Sequence, residues 1–313
     1  MFGIPLIIII SSIILGIYFP SCGIEISPIV PLLQSILIFL STIKVDFRIY
    51  KKYMELLKPF FLGFFTCYIF IPILFFLVGL FLLKMSIINF PLFVGIIITG
   101  TVPLAAGSTL VWSKELGGKV EITLLLIVTT ILASPLITPS YIYIFLKDEI
   151  NVNAQQMFLE MALIIFIPVL ISIIVKKKLT KNLDSNLSFF VMGIIIYIAV
   201  SKSVERLDLV IDYLFVSIFL SLIFIIITLL FLTIFSNILK LKREEKESIF
   251  IPSFFKNISL AIIVVSFFDP EVVFFPVVYY IIEQLVSPLY YEIKKSRSVN
   301  YLKYKQVYWG GLK

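Results

Sequence analysis

Ionisable and amide side chains inside two apolar segments are the residues of this sequence that could do chemistry. Lys256 and Asn257 are neighbours in one segment, and Glu283 and Gln284 are neighbours in a second. An ammonium group at the centre of a lipid-embedded helix costs about 2.5–3.5 kcal/mol, so it should pair with another group or face water. We therefore expect Lys256 and Glu283 to form a buried pair in which a proton can be exchanged.

Two simpler interpretations of these residues stay open. If its helix starts later than drawn, Lys256 can extend its ammonium group to the membrane surface while its stem stays in the apolar layer. Glu283 can serve as a structural hydrogen-bonding group between helices.

Prolines interrupt two apolar segments in a similar way. Pro103 is followed by Gly107 and Ser108, and Pro252 is followed by Asn257. Proline removes a helical hydrogen bond, and glycine permits unwinding. Unwound backbone inside a membrane persists only where it is buried in protein or lines a wet cavity. Two crossing breaks would direct helix N-termini at a bound anion, whereas simple kinking by proline is the alternative.

Composition places these segments in a membrane protein. Of the 313 residues, 60% are hydrophobic and 14% are charged, and the mean hydropathy is +1.11. Soluble domains are about half apolar and a quarter charged. The sequence has no histidine, and its two cysteines, Cys22 and Cys67, fall in different environments, so neither a zinc site nor a disulfide is expected. We expect no catalytic residues, no metal and no cofactor.

Apolar segments long enough to cross a bilayer recur along the whole chain. The expected all-α fold has ten membrane spans, near residues 3–19, 28–43, 59–83, 88–116, 119–146, 154–175, 186–202, 209–239, 248–268 and 272–293. The first span lacks a basic leader and a cleavage motif, so it is interpreted as a membrane helix rather than a signal peptide. Pro103 then lies in span 4 and Pro252 in span 9.

The distribution of lysine and arginine supports this count and sets an orientation. The even-numbered connections and the C-terminal tail hold 21 of the 26 basic residues, the odd-numbered connections hold four, and Lys256 lies in span 9. Basic residues concentrate on the cytoplasmic side. We therefore expect a multi-pass protein of the cell membrane with both termini in the cytoplasm. The net charge of +7 is then a topology signal and does not indicate nucleic-acid binding.

Similar motifs in the two halves suggest a repeat. Ser134-Pro135-Leu136 in span 5 matches Ser287-Pro288-Leu289 in span 10, and Pro103 matches Pro252. A five-helix unit used twice must be inserted in opposite orientations, which is typical of transporters. We expect one repeat over residues 1–150, an inverted repeat over 151–293, and a basic, aromatic cytoplasmic tail over 294–313.

The chain resembles the bile acid:sodium symporter family along essentially its whole length. The resemblance lies in residues 103–139, which end with TTILASPLITP, in 256–261 (KNISLA), and in Phe70-Ile71-Pro72. It implies ten helices in two inverted repeats, divided into a panel and a core, with helices 4 and 9 crossing in the core. The sodium and substrate sites of the family lie beside that crossing.

The family's functional positions are only partly kept here. The resemblance assigns its Ser-Asn sodium pair to Ser108 and Thr109, a further hydroxyl to Thr123, and a retained amide to Asn257. Lys256 stands in place of a glutamine, Cys67 in place of another, and the family's glutamate falls near Pro252. The ammonium group of Lys256 could replace the sodium ion. Sodium at one residual site and a proton both stay open as coupling ions, and so does facilitated flux without a coupling ion.

Several functions remain open at this stage. We expect a secondary transporter of a small organic anion, and the sequence has no P-loop for direct ATP drive. Arsenite exporters share a segment like Val111-Trp112-Ser113 but carry a cysteine where Leu104 stands, and auxin-efflux-type carriers share the architecture. A non-transporting scaffold is the remaining alternative. The expected partners are a solute and the bilayer, with a homodimer left open.

Overall fold

The computed structural model describes residues 3–43, 53–105, 107–146, 153–179, 185–203 and 213–309, and this part of the chain is helical apart from turns and one isolated bridge. The helices are α1 (Gly3–Tyr18), α2 (Pro20–Glu25), α3 (Val30–Thr42), α4 (Tyr53–Phe65), α5 (Ile71–Lys84), α6 (Phe90–Thr101), α7 (Gly107–Glu115), α8 (Val120–Leu146), α9 (Ala154–Leu179), α10 (Ser185–Ser203), α11 (Leu214–Ile238), α12 (Arg243–Phe254), α13 (Ile258–Val265) and α14 (Phe274–Trp309). A π-helical turn, Thr66–Phe70, joins α4 to α5, and 3-10 turns cover Ser27–Ile29 and Pro270–Val273.

Five helical segments in the described part of the chain are long and apolar enough to cross a membrane. They are Leu56–Lys84, Val120–Leu146, Ala154–Val175, Leu214–Ile238 and Pro270–Lys294. The other apolar segments form shorter helices. Two of the expected spans are divided by breaks, so each half falls below the length that crosses a roughly 30 Å hydrocarbon layer.

The helices pack in two groups. The panel consists of α1, α2, α3, α9 and α10, which contact one another. The core consists of α4 to α8 and α11 to α14. The two groups meet where α8 packs on α9 and where α13 packs on α3 and α10. This division agrees with the panel and core that the family resemblance implies.

Aromatic packing holds the core helices close together near the C-terminal end of α6. The ring of Phe75 stacks on that of Phe224 at 3.8 Å, and Tyr279 meets Phe75 edge-on. A Cβ atom at Gly100 would lie 2.9 Å from the Cβ of Phe75. Glycine therefore permits the close approach of α5 and α6, and it leaves the last turn of α6 with little room for a side chain.

The break in span 4 falls where the sequence predicts it. Helix α6 ends at Thr101, Val102 is extended with φ −69° and ψ 154°, and α7 begins at Gly107. Proline at position 103 disfavours helical geometry at the residue before it. The two halves of the expected span are therefore separate helices.

The break in span 9 lies later than Pro252, so the sequence-based position is wrong by three residues. Helix α12 continues through Pro252 to Phe254, and the chain is extended from Phe255 to Asn257. Pro252 cannot donate to the carbonyl of Ser248, four residues earlier. The hydroxyl of Thr123 donates to that carbonyl instead, at 3.0 Å. The helix therefore tolerates the proline.

The same compensation operates at the π-helical turn. Pro72 cannot donate to the carbonyl of Tyr68, and the hydroxyl of Tyr141 from α8 donates to it at 2.6 Å. Side-chain hydroxyls of neighbouring helices commonly satisfy backbone groups that proline frees in membrane helices. The π turn places Cys67 in the interior, where it is fully buried. Such turns occur often at functional sites.

Candidate functional site

The extended segments between the broken helices meet and pair through their backbones. Leu104 and Lys256 form an antiparallel bridge. The N–H of Ala105 donates to the carbonyl of Phe255 at 3.0 Å, and the N–H of Asn257 donates to the carbonyl of Pro103 at 2.9 Å. We call residues 102–105 and 255–257 the crossing. Each unwound segment thereby satisfies polar groups of the other, which an apolar interior requires.

Lys256 is buried at the crossing, with 3% of its surface exposed. Its Nζ donates to the carbonyl of Gly100 at 3.1 Å and to that of Val102 at 3.2 Å. It also lies 3.8 Å from the Sγ of Cys67. The ammonium group therefore turns inward to the C-terminal end of α6, and its position excludes an extension to the membrane surface.

Glu283 is fully buried beside the same residue. Its Oε2 accepts a hydrogen bond of 2.9 Å from the backbone N–H of Lys256, and its Oε1 has no hydrogen-bond partner. The hydroxyl of Ser287 donates to the backbone carbonyl of Glu283 at 2.6 Å. One carboxylate oxygen is therefore left to accept a proton or a donor group.

The expected pair of Lys256 and Glu283 is formed through the backbone of Lys256 rather than through its ammonium group. The two charges attract each other, but the ammonium group is held by the α6 carbonyls and the carboxylate by the amide N–H. Vacant carbonyls at the end of α6 explain the difference, because a helix C-terminus attracts a cation.

The other predicted site residues are distributed around the crossing. Asn257 caps α13 by accepting from the N–H of Leu260 at 3.2 Å. The Oγ1 of Thr109 in α7 is buried without a partner, and the side chain of Gln284 lies beside the carboxylate of Glu283. Ser108 is the second residue of α7, and its side chain lies outside the described part of the structure.

The hydroxyl of Thr123 forms hydrogen bonds between helices. It donates to the carbonyl of Ser248 and lies 2.7 Å from the hydroxyl of Ser113. Since a hydroxyl carries one proton, Ser113 is the donor in the second contact. Thr123 therefore joins α8 to α7 and to α12, and one of its acceptor directions is already used.

A cavity of about 270 Å³ lies between the panel and the core. It is lined by α3, α9, α10, α13 and the turn before α14, and its polar lining includes Gln34, Glu160, Lys202 and Ser266. The Nε2 of Gln34 donates to the carbonyl of Ser259 in α13 at 2.9 Å, while its Oε1 is buried and unpaired. No pattern in the sequence singles out Glu160 or Lys202, because one lies in the first third of span 6 and the other is the last residue of span 7.

Comparison with known proteins identifies one family. A sequence model described as the sodium bile acid symporter family matches residues 30–212, which is more than half of the chain. The match includes the first side of the crossing and ends before Lys256 and Glu283. No curated protein sequence matches the chain significantly.

A double-variant cycle tests the role of Thr123. Thr123→Val leaves the carbonyl of Ser248 without a donor, so the free energy of unfolding should fall by about 1–3 kcal/mol. In a Pro252→Ala background the new N–H can reach that carbonyl, and Thr123→Val should cost about 1 kcal/mol less. Thermal and denaturant unfolding in detergent measure both costs.

Thr233→Val is the matched control, because the exposed hydroxyl of Thr233 bonds only within its own helix. It should change stability by less than about 0.5 kcal/mol. Equal costs of Thr123→Val in both backgrounds would contradict the compensation. A cost that appears only in sodium chloride would instead make Thr123 an ion ligand.

Proposed function

The chain belongs to the sodium bile acid symporter family, and from this we propose that it is a secondary transporter of a small organic anion. The observation that carries the proposal is the crossing, where two unwound segments pair and bury a lysine beside a carboxylate. A structural bundle gains nothing from such breaks, since each exposes backbone groups that continuous helices satisfy internally.

The proposed architecture is ten spans in two inverted five-helix repeats, with both termini in the cytoplasm of a cell-membrane protein. Support comes from the matched breaks at residues 102–105 and 255–257 and from the asymmetry of basic residues along the sequence. In this orientation the connection that holds Cys22 is extracellular, and the turn between α7 and α8 is cytoplasmic.

Cysteine labelling in intact cells tests the orientation. Cys22 is exposed and Cys67 is buried, so a membrane-impermeant maleimide should label the native protein at Cys22 alone. Cys22→Ser should abolish the label. Lys114→Cys in that background places a thiol at an exposed position of α7, and it should react only after the cells are permeabilised. The opposite pattern would invert the proposed topology.

The proposed solute route is the cavity between the panel and the core. Its mixed lining of aliphatic side chains with Gln34, Lys202 and Ser266 suits a small solute with an apolar body and a few polar groups. Lys202 supplies the positive charge that favours an anion, and Glu160 on the opposite helix limits how much negative charge is accepted. The proposal therefore favours a monocarboxylate-type solute.

The proposed coupling ion is the proton. The family's sodium-binding amides are replaced by Cys67 and Lys256, and its carboxylate is absent near Pro252. Glu283 supplies a buried carboxylate with one unpartnered oxygen beside the crossing. We propose no enzymatic activity. An efflux carrier is the second candidate: the Val111-Trp112-Ser113 segment favours an arsenite exporter, and the shared architecture favours an auxin-type carrier.

Flux into proteoliposomes tests the transport function. The purified chain should move at least one labelled anion from a panel of small monocarboxylates, taurocholate, indole-3-acetate and arsenite. An inward proton gradient should accelerate uptake, and replacing sodium with choline should not change it. Empty liposomes give the background. Uptake of arsenite or indole-3-acetate alone would favour the second candidate, and no flux of any solute would favour a scaffold.

Charge-neutral variants test the coupling group. Glu283→Gln keeps an oxygen that can accept from the N–H of Lys256 but cannot carry a proton. Its uptake should therefore lose most of the acceleration by a proton gradient. Glu121→Gln is the control, since that carboxylate is exposed in the first turn of α8. Unchanged pH dependence in Glu283→Gln, Lys256→Gln and their double variant would end the proton hypothesis.

A further inference from the structure

The last turn of α6 forms a small oxygen-lined site. The final carbonyls of a helix have no helical donors. The carbonyl of Ile98 accepts from the N–H of Val102, and that of Thr101 accepts from the hydroxyl of Thr138 at 2.9 Å. The carbonyls of Gly100 and Val102 are left to other donors. We call these two oxygens the carbonyl site.

The ammonium group of Lys256 occupies the carbonyl site. Its Nζ lies 3.1 Å from one oxygen and 3.2 Å from the other, with the Sγ of Cys67 as a third, weaker neighbour at 3.8 Å. Backbone carbonyls at a helix C-terminus carry partial negative charge. Such oxygens also bind alkali cations in membrane proteins. The position of the ammonium group is therefore that of a bound monovalent cation.

The backbone of Lys256 is held on both sides, so the ammonium group is held in register with the site. The bridge with Leu104 aligns the residue against the extended segment of span 4, and Glu283 accepts from its N–H. The same carboxylate attracts the ammonium group, which offsets part of the cost of burying it. The bridge, the hydrogen bond to Glu283 and the attraction between the charges therefore all hold Lys256 in place.

We propose that Lys256 is a tethered monovalent cation that permanently fills the carbonyl site, so that this transporter works without a free sodium ion. A second cation at contact distance from the ammonium group would be repelled strongly in a buried, low-dielectric site. Removal of the lysine side chain then opens a site that a small monovalent cation or an alkylammonium ion can fill. The claim that transport needs no sodium rests on the proposed function, whereas the claim that Lys256 fills the carbonyl site does not.

Chemical rescue tests the filled site. Lys256→Ala removes a group equivalent to n-propylammonium, so this ion should restore both the stem and the charge. The melting temperature of the purified variant should rise by a few degrees in n-propylammonium chloride relative to choline chloride at equal ionic strength, with a smaller rise in sodium or potassium chloride. The native protein should melt at the same temperature in all four salts.

Lys119→Ala is the matched control, since it also removes one lysine charge, from the ion pair with Glu245 at 2.9 Å. It should show no preference among the salts. Lys256→Met retains the bulk of the stem, so sodium or potassium should stabilise it and n-propylammonium should not. Equal melting temperatures of Lys256→Ala in all salts would overturn the proposal.

The native protein decides the matter if neither Lys256 variant can be purified. A sodium-specific rise in its melting temperature would overturn the proposal, and the absence of such a rise would support it. These measurements need no transported solute. If cations stabilise Lys256→Ala but no solute is transported, the proposal of a tethered cation stands and the proposed transport function is rejected. If transport occurs but requires sodium, the tethered cation is rejected and the transport function stands.

Discussion

Satisfying the backbone of two unwound segments inside an apolar bundle is the constraint on which the rest of this structure depends. Each segment offers N–H and carbonyl groups that cost several kcal/mol if left unpaired away from water. Ala105 and Asn257 donate across the crossing, and Lys256 and Thr138 donate to the end of α6. The ammonium group of the buried lysine therefore serves as a donor to backbone carbonyls, and these carbonyls in turn hold its charge in place.

Hydroxyl groups of neighbouring helices donate hydrogen bonds to the carbonyls that prolines leave without helical donors. The hydroxyl of Thr123 donates to the carbonyl that Pro252 leaves without a helical donor. The hydroxyl of Tyr141 does the same for the carbonyl that Pro72 leaves without one. Tyr279 donates to the carbonyl of Phe254 at 3.0 Å, where α12 ends. These donors come from α8 and α14, which are long helices that pass the breaks. The broken helices therefore depend on unbroken neighbours for their hydrogen bonds, and the core holds together as one unit.

The sequence predicts the part of this site that follows from local chemistry. The break at Pro103 follows from proline with a nearby glycine, and the proximity of Lys256 to Glu283 follows because two charges in apolar helices need partners. The position of the ammonium group depends on vacant carbonyls at the end of α6, 156 and 154 residues away in the chain, and no local sequence pattern indicates them. The position of the second break likewise depends on the hydroxyl of Thr123 in α8, which lets the helix continue past Pro252. The break predicted at Pro252 therefore lies further along the chain.

The crossing and the cavity are separate places that α13 connects. The lining of the cavity does not include Lys256 or Glu283. Asn257 caps the first turn of α13, and Ile262, Ile263 and Ser266 near its other end line the cavity. Eight helical residues span about 12 Å, so one short helix joins the crossing to the lining of the cavity. Gln34 of the panel holds the carbonyl of Ser259 in the same helix. Because Gln34 also lines the cavity, this bond joins the panel to the helix that runs from the crossing to the cavity.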